Sequence, residues 1–221
     1  MASAVDSFVH RFVRAPSGGD AVTLLLLHDV GGDEHDLLHF GPALDEGAGM
    51  LAPRGKVEEN ARASFLRPFA EGVFDLDDLH ARAYELADWV RVAAEAYRFE
   101  RSRVVAVGVS NGASMAASLL LLDPGLLAGA VLFRPLLPFT PERQPQLHGA
   151  GIFIAAGRAD RTMGPDQPER LAALLRNGGA DVTLHWDNAG HELDRREIAA
   201  SRSWLQRRHI SGGLRVHDPP M

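Results

Sequence analysis

The sequence predicts a domain of the α/β class, a mostly parallel, doubly wound sheet with helices on both faces. Three observations lead there. Continuous apolar runs of strand length recur at residues 21–27, 104–109, 126–133 and 152–156, and such runs suit strands buried on both faces of a parallel sheet. Segments of helical period alternate with them, as parallel crossovers require. Glycine-rich turns stand where strands would hand over to helices.

The elements follow in order. Residues 8–14 alternate roughly and read as a first strand at the sheet edge. Residues 15–20, rich in Pro, Ser and Gly, form a turn. The strand at 21–27 ends in the loop His28-Asp29-Val30-Gly31-Gly32. Residues 33–44 read as a short helix with one apolar side, and residues 49–53 as the next strand. Residues 54–75 have no clean period and read as a long loop or short helices. A segment of that length without strong structure is usually functional or mobile. Residues 77–97 give the strongest helix signal. Leu79, Ala83, Leu86, Val90 and Ala94 recur at helical spacing, and Asp77 and Asp78 suit the positive end of the dipole.

A strand from Val104 then runs into Gly108-Val109-Ser110-Asn111-Gly112, followed by a helix to about residue 122. Residues 126–133 form another strand, and Pro135, Pro138, Pro141 and Pro145 break up the loop beyond it. The strand at 152–156 leads into Gly157-Arg158-Ala159-Asp160. A helix at 167–177 is closed by Gly178-Gly179. The strand at 182–186 leads into Asn188-Ala189-Gly190-His191, and residues 192–206 form the last helix. Residues from about 208 to 221 are expected to be a flexible tail. No repeat or linker divides the chain, so residues 1–221 are expected to form one domain.

Composition narrows the function. The net charge is −6 and no long basic run occurs, which argues against nucleic-acid partners. The absence of cysteine excludes disulfides, thiolate metal sites and a cysteine nucleophile. The first 20 residues lack the apolar core of a signal peptide, and the run at residues 24–27 is too short to cross a bilayer. The expectation is a soluble cytoplasmic protein with no membrane partner.

Gly108-Val109-Ser110-Asn111-Gly112 carries the chemistry. Alone, Gly-x-Ser-x-Gly is a common pattern that an ordinary β-to-α turn would explain. Between a buried strand and a small-residue helix it reads as a nucleophile elbow. Its glycines let strand and helix close on a strained serine. Catalysis by such a serine needs a base, an acid to orient that base, and donors for the oxyanion. Sheets bearing this elbow carry them in the order nucleophile, acid, histidine. Here the order is Ser110, Asp160, His191. Asp160 could be a turn-former and His191 a polar residue near a helix start, but both follow predicted strands downstream of the elbow. Asp166, at a helix start, is explained by N-capping, and Asp187 is a weaker rival. His185 lies inside a strand and reads as structural; His209 and His217 read as surface residues.

The backbone N–H groups of Asn111 and Val30 are the candidate oxyanion donors. The loop holding Val30 could otherwise be a plain glycine turn. His28, Asp29, Asp33, His35 and His39 are dense but lack metal-ligand spacing, so no metal is expected.

The segments Leu24–Leu37, Gly108–Ala113, Gly157–Asp160 and Gly190–Glu192 resemble, in order, the oxyanion loop, elbow, acid and base motifs of the phospholipase/carboxylesterase family of α/β-hydrolases. Arg54-Gly55-Lys56-Val57-Glu58-Glu59-Asn60, Phe65, residues 70–76 and Gly129-Ala130-Val131-Leu132-Phe133-Arg134-Pro135 are similar to the bacterial carboxylesterase-like subgroup associated with hydroquinone resistance. The resemblance implies an α/β-hydrolase fold with a minimal cap, an esterase using Ser110, His191 and Asp160, no cofactor, and a homodimer. Two departures stand out. Asp29 occupies a position where the family commonly has glycine, and is expected to point away from the oxyanion donors. Ser64, Phe65 and Leu66 replace a basic residue and paired aromatics.

The expected substrate is a small or medium carboxylic ester. Residues 54–75 and 133–139 are expected to shape the pocket, with Arg54, Phe65 and Phe133 as candidate substrate contacts. Arg54 is also expected to brace its loop by pairing with Glu59. The alternatives are an acyl-thioesterase or lysophospholipase on the same machinery, and a non-catalytic protein that binds a quinone or another small molecule.

Overall fold

The computed structural model describes residues 4–18, 21–59, 61–70, 73–162, 164 and 166–210. In chain order the strands are β1 (His10–Val13), β2 (Thr23–Leu27), β3 (Gly49–Pro53), β4 (Val57–Glu59), β5 (Arg62–Ser64), β6 (Pro68–Ala70), β7 (Val73–Phe74), β8 (Val104–Val109), β9 (Gly129–Phe133), β10 (Gly151–Gly157) and β11 (Asp181–Asp187). The helices are α1 (Phe40–Leu44), α2 (Leu76–Tyr97), α3 (Asn111–Leu122), α4 (Gln167–Asn177) and α5 (Arg195–Ile210). The main sheet runs β1-β3-β2-β8-β9-β10-β11. Only β1 is antiparallel, and it pairs with β3 at the edge, where the alternating pattern predicts it.

Period-2 alternation along the buried strands explains the two cores. Successive side chains leave a strand on opposite faces. Leu25, Leu27, Ala106, Leu132 and Ile154 meet residues of α2, α3 and α4. Their neighbours Leu24, Leu26, Val107, Phe133 and Phe153 meet α1 and α5 on the other face. The strands are apolar throughout because both faces are covered. Helix α3 is buried from Asn111 to Leu121, matching its small and apolar sequence. Helix α2 is capped by the Asp75 carboxylate, which accepts the Asp78 N–H at 3.2 Å.

Three segments differ from expectation. The helix at 33–44 shrinks to α1, because the Asp33 carboxylate takes the His35 N–H (2.7 Å) and the following backbone closes in three-residue turns. The segment at 54–75 holds two small hairpins, β4–β5 and β6–β7, whose strands are too short to show a period. Helix α5 begins later than expected, at Arg195, and continues to Ile210, past the expected start of the tail. Residues 211–221, with His217, lie outside the described residues, as does the side chain of His209.

Strand order positions the site. From β2 the chain crosses to β3 on one side, whereas from β8 it crosses through α3 to β9 on the other. This reversal opens a crevice at the carboxyl ends of β2 and β8, where open α/β sheets bind ligands. Among the described residues, no helix is long and apolar enough to cross a membrane.

Candidate active site

Ser110 sits between β8 and α3 with φ 51° and ψ −106°, a conformation costly for a residue with a Cβ. Its N–H donates to the Phe133 carbonyl (2.8 Å), and its own carbonyl accepts from the N–H (2.9 Å) and Oγ (3.0 Å) of Ser114. These bonds hold the turn. The flanking glycines have no room for a side chain. A Cβ on Gly108 would lie 2.6 Å from backbone atoms of Ala113, and one on Gly112 would lie 2.1 Å from the Leu27 carbonyl oxygen. Gly112→Ala is expected to destabilise the protein by about 3 kcal/mol or more, measured by urea unfolding, because only a backbone shift can relieve that contact.

The structure brings together the three sequence-predicted side chains. His191 Nε2 lies 3.2 Å from Ser110 Oγ, and His191 Nδ1 lies 2.9 Å from Asp160 Oδ2. The Asp160 side chain is buried, and its Oδ1 accepts the Thr162 N–H at 2.8 Å. With one nitrogen facing a carboxylate and the other a hydroxyl, the imidazole can pass a proton to and from the serine. The rival carboxylates are engaged elsewhere. Asp166 makes no side-chain cap, contrary to expectation, and pairs with Arg170 (3.3 Å), while Asp187 accepts the Asn188 N–H (2.6 Å). The His185 ring stacks on Phe153.

The N–H groups of Val30 and Asn111, the candidate oxyanion donors, converge on one point. That point is filled. Asp29 Oδ1 accepts from Val30 N–H at 2.7 Å and from Asn111 N–H at 3.3 Å. The expectation that Asp29 points away is therefore corrected. Amides at a helix start attract negative charge, and the nearest carboxylate precedes Val30 by one residue.

The loop around this point is braced from below. The buried His28 contacts the Asp29 carbonyl through Nδ1 (2.7 Å), and its Nε2 accepts the Gly55 N–H (3.0 Å). Asn111 clamps the next segment with its side chain. Its Oδ1 accepts the N–H groups of Phe65 (2.9 Å) and Leu66 (3.1 Å), and its Nδ2 donates to the Leu66 carbonyl (2.9 Å). Burial pushes the His28 imidazole below its ordinary range, because the charged ring loses water. The unfolded chain then takes up the proton first as pH falls. Stability from this group is full above about pH 6.5 and declines as pH falls toward the lower folded value. Urea midpoints at pH 7.5 and 5 check this, and His28→Asn is expected to flatten that part of the acid limb.

The expected substrate contacts lie elsewhere. Arg54 forms a bidentate pair with Glu34 (2.7 and 3.1 Å) and holds the Glu34 carboxyl below its usual range; the side chain of Glu59, its expected partner, lies outside the described residues. Phe65 is buried against the His28 ring. Phe133 has no exposed surface, because its place in β9 turns it into the α1/α5 core beside Phe40. Neither phenyl ring presents a face to a ligand. A cavity of about 560 Å³ adjoins Arg54, Lys56 and Arg82, but neither Ser110 nor His191 lines it. All three cations are paired with acids.

Arg134 was legible only as part of a motif, and the structure gives it a place. It is 1% exposed, directly follows β9, and has φ 55°. Its guanidinium meets the fully buried Glu197 carboxylate at 2.5 and 2.8 Å. It also donates to the carbonyls of Gly190 (2.8 Å) and Glu192 (3.2 Å), the two neighbours of His191. Its Nε lies 3.9 Å from Asp160 Oδ2. One buried cation thus ties the loop bearing the imidazole to the carboxylate behind it. Among the described residues, no group of acids and histidines could hold a metal ion.

A sequence profile of the dienelactone hydrolase family matches residues 74–205. The putative hydrolase MhqD of Bacillus subtilis (strain 168) is 43% identical over 183 residues, covering 83% of this chain and 92% of that protein. The crystal structure of the Bacillus cereus carboxylesterase superposes with a TM-score of 0.88 at 41% identity, covering 90% of this chain and 94% of its own. A carboxylesterase from Mesorhizobium loti superposes with a TM-score of 0.80 at 29% identity, covering 84% and 88%.

Proposed function

The chain belongs to the dienelactone hydrolase family, within the carboxylesterase-like α/β-hydrolases, and from that premise we propose that it is a serine carboxylesterase acting on small or medium esters. The line of contacts from Asp160 through His191 to Ser110, beside two converging amides, carries this reading. Ser110 Oγ attacks the ester carbonyl while His191 Nε2 takes its proton. Asp160 orients the imidazole and balances its charge. The N–H groups of Val30 and Asn111 receive the oxyanion. The imidazolium then protonates the leaving alcohol, and water, activated by the same nitrogen, releases the acid. No cofactor takes part. A homodimer, implied by the family resemblance, belongs to the same reading.

A fluorophosphonate probe tests the assignment, because labelling needs an activated serine. The expected result is one adduct, on Ser110; failure to label would return the chain to the non-catalytic reading. A series of p-nitrophenyl esters from acetate to palmitate sets the substrate class. A maximum at the short esters supports the carboxylesterase reading, and a maximum at the long ones favours a lysophospholipase or thioesterase.

A further inference from the structure

We propose that Asp29 is a specificity-determining guard of the oxyanion hole, restricting turnover to esters whose carbonyl dislodges its carboxylate and disfavouring esters with an anionic acyl group. The proposal rests on Ser110, His191 and Asp160 acting as a serine hydrolase.

Asp29 Oδ1 accepts hydrogen bonds from Val30 N–H (2.7 Å) and Asn111 N–H (3.3 Å), the same donors the oxyanion needs. A substrate therefore meets a hole that is already filled. The competition is unequal at first, because an ionised carboxylate is a stronger acceptor than a neutral ester carbonyl. Only as charge develops on the carbonyl oxygen does the substrate become the better occupant. The backbone of Asp29 does not have to move for the exchange. Its carbonyl is fixed by His28 Nδ1 (2.7 Å) and the Gly32 N–H (3.0 Å). The side chain is half-buried beside the exposed Val30, so rotation about its own bonds can carry the carboxylate toward solvent.

Once displaced, that carboxylate stands at the edge of the site. There it repels an acyl group bearing a second negative charge. Asp29 thus acts twice on one substrate, first by occupying the hole and then by setting the charge of its rim.

The test compares the wild type, Asp29→Ala and Asp29→Asn on p-nitrophenyl butyrate and the matching p-nitrophenyl hemisuccinate. Asp29→Ala empties the hole; Asp29→Asn keeps an acceptor oxygen without the charge. The expected result for Asp29→Ala is a rise in kcat/KM on butyrate of about 10-fold or more, within the ceiling of about 10²–10³-fold that one oxyanion donor supplies. A larger rise on hemisuccinate is expected, so that the preference for the neutral ester shrinks. Asp29→Asn is expected to fall between. Fluorophosphonate labelling of Ser110 should quicken in the same order. Unchanged or lower kcat/KM in Asp29→Ala, with Ser110 still labelled in both proteins, overturns the guard and leaves the serine-hydrolase reading standing. No labelling in either protein overturns both.

Discussion

Replacing Ser110 with alanine is expected to lower kcat for p-nitrophenyl acetate by about 10⁴–10⁶-fold while leaving the thermal midpoint close to that of the wild type. The loss is large because His191 Nε2 would face a methyl group with no proton to give. The fold tolerates the change because the contacts that hold the strained turn are made by the backbone of residue 110 and the side chain of Ser114. Alanine and serine also pay similar costs at φ 51°. Residual hydrolysis would come from binding and from the two amides. Near-wild-type turnover by purified Ser110→Ala protein would remove Ser110 from the mechanism.

Arg134→Met is expected to cost about 3–5 kcal/mol of stability, because it strands the Glu197 carboxylate without its cation. Both side chains are fully buried, and among the described residues Glu197 Oε2 otherwise accepts the Asp194 N–H at 3.0 Å. The double variant Arg134→Met, Glu197→Leu is expected to recover most of that stability, since an apolar pair of similar volume can replace a buried ion pair. It should not recover activity. The carbonyls of Gly190 and Glu192 lose their donor in both variants, so the loop carrying His191 loses the two ties that flank the imidazole. Urea unfolding and kcat on one neutral ester separate these effects. Recovery of both stability and kcat in the double variant would reduce Arg134 to a packing residue.

The strands and most helices were legible because burial on both faces writes itself into sequence as unbroken apolar runs, as at Val104–Val109. Ser110, Asp160 and His191 were legible because glycine turns and strand ends place them. What stayed hidden depends on where side chains turn. Asp29 sits in a family motif, but no pattern says whether its carboxylate turns toward the amides or away. Phe133 looks like a pocket aromatic until its position in β9 shows which face it takes. Arg134 and Glu197 lie 63 residues apart, and neither has a neighbour in sequence that announces the other. Arg54 offered Glu59 nearby, yet the loop after β2 brings Glu34 to it.

The proposed reactive centre has no local precursor. Ser110 and His191 are 81 residues apart, Asp29 and Asn111 are 82, and Arg134 and Gly190 are 56. Each contact spans strands that must first find their neighbours, and closing such long loops is slow and entropically costly. A nascent or partly unfolded chain therefore holds no fraction of the Ser110–His191–Asp160 arrangement. On the proposed reading the nucleophile is a product of the completed sheet, so the polypeptide would become reactive only once it has become native.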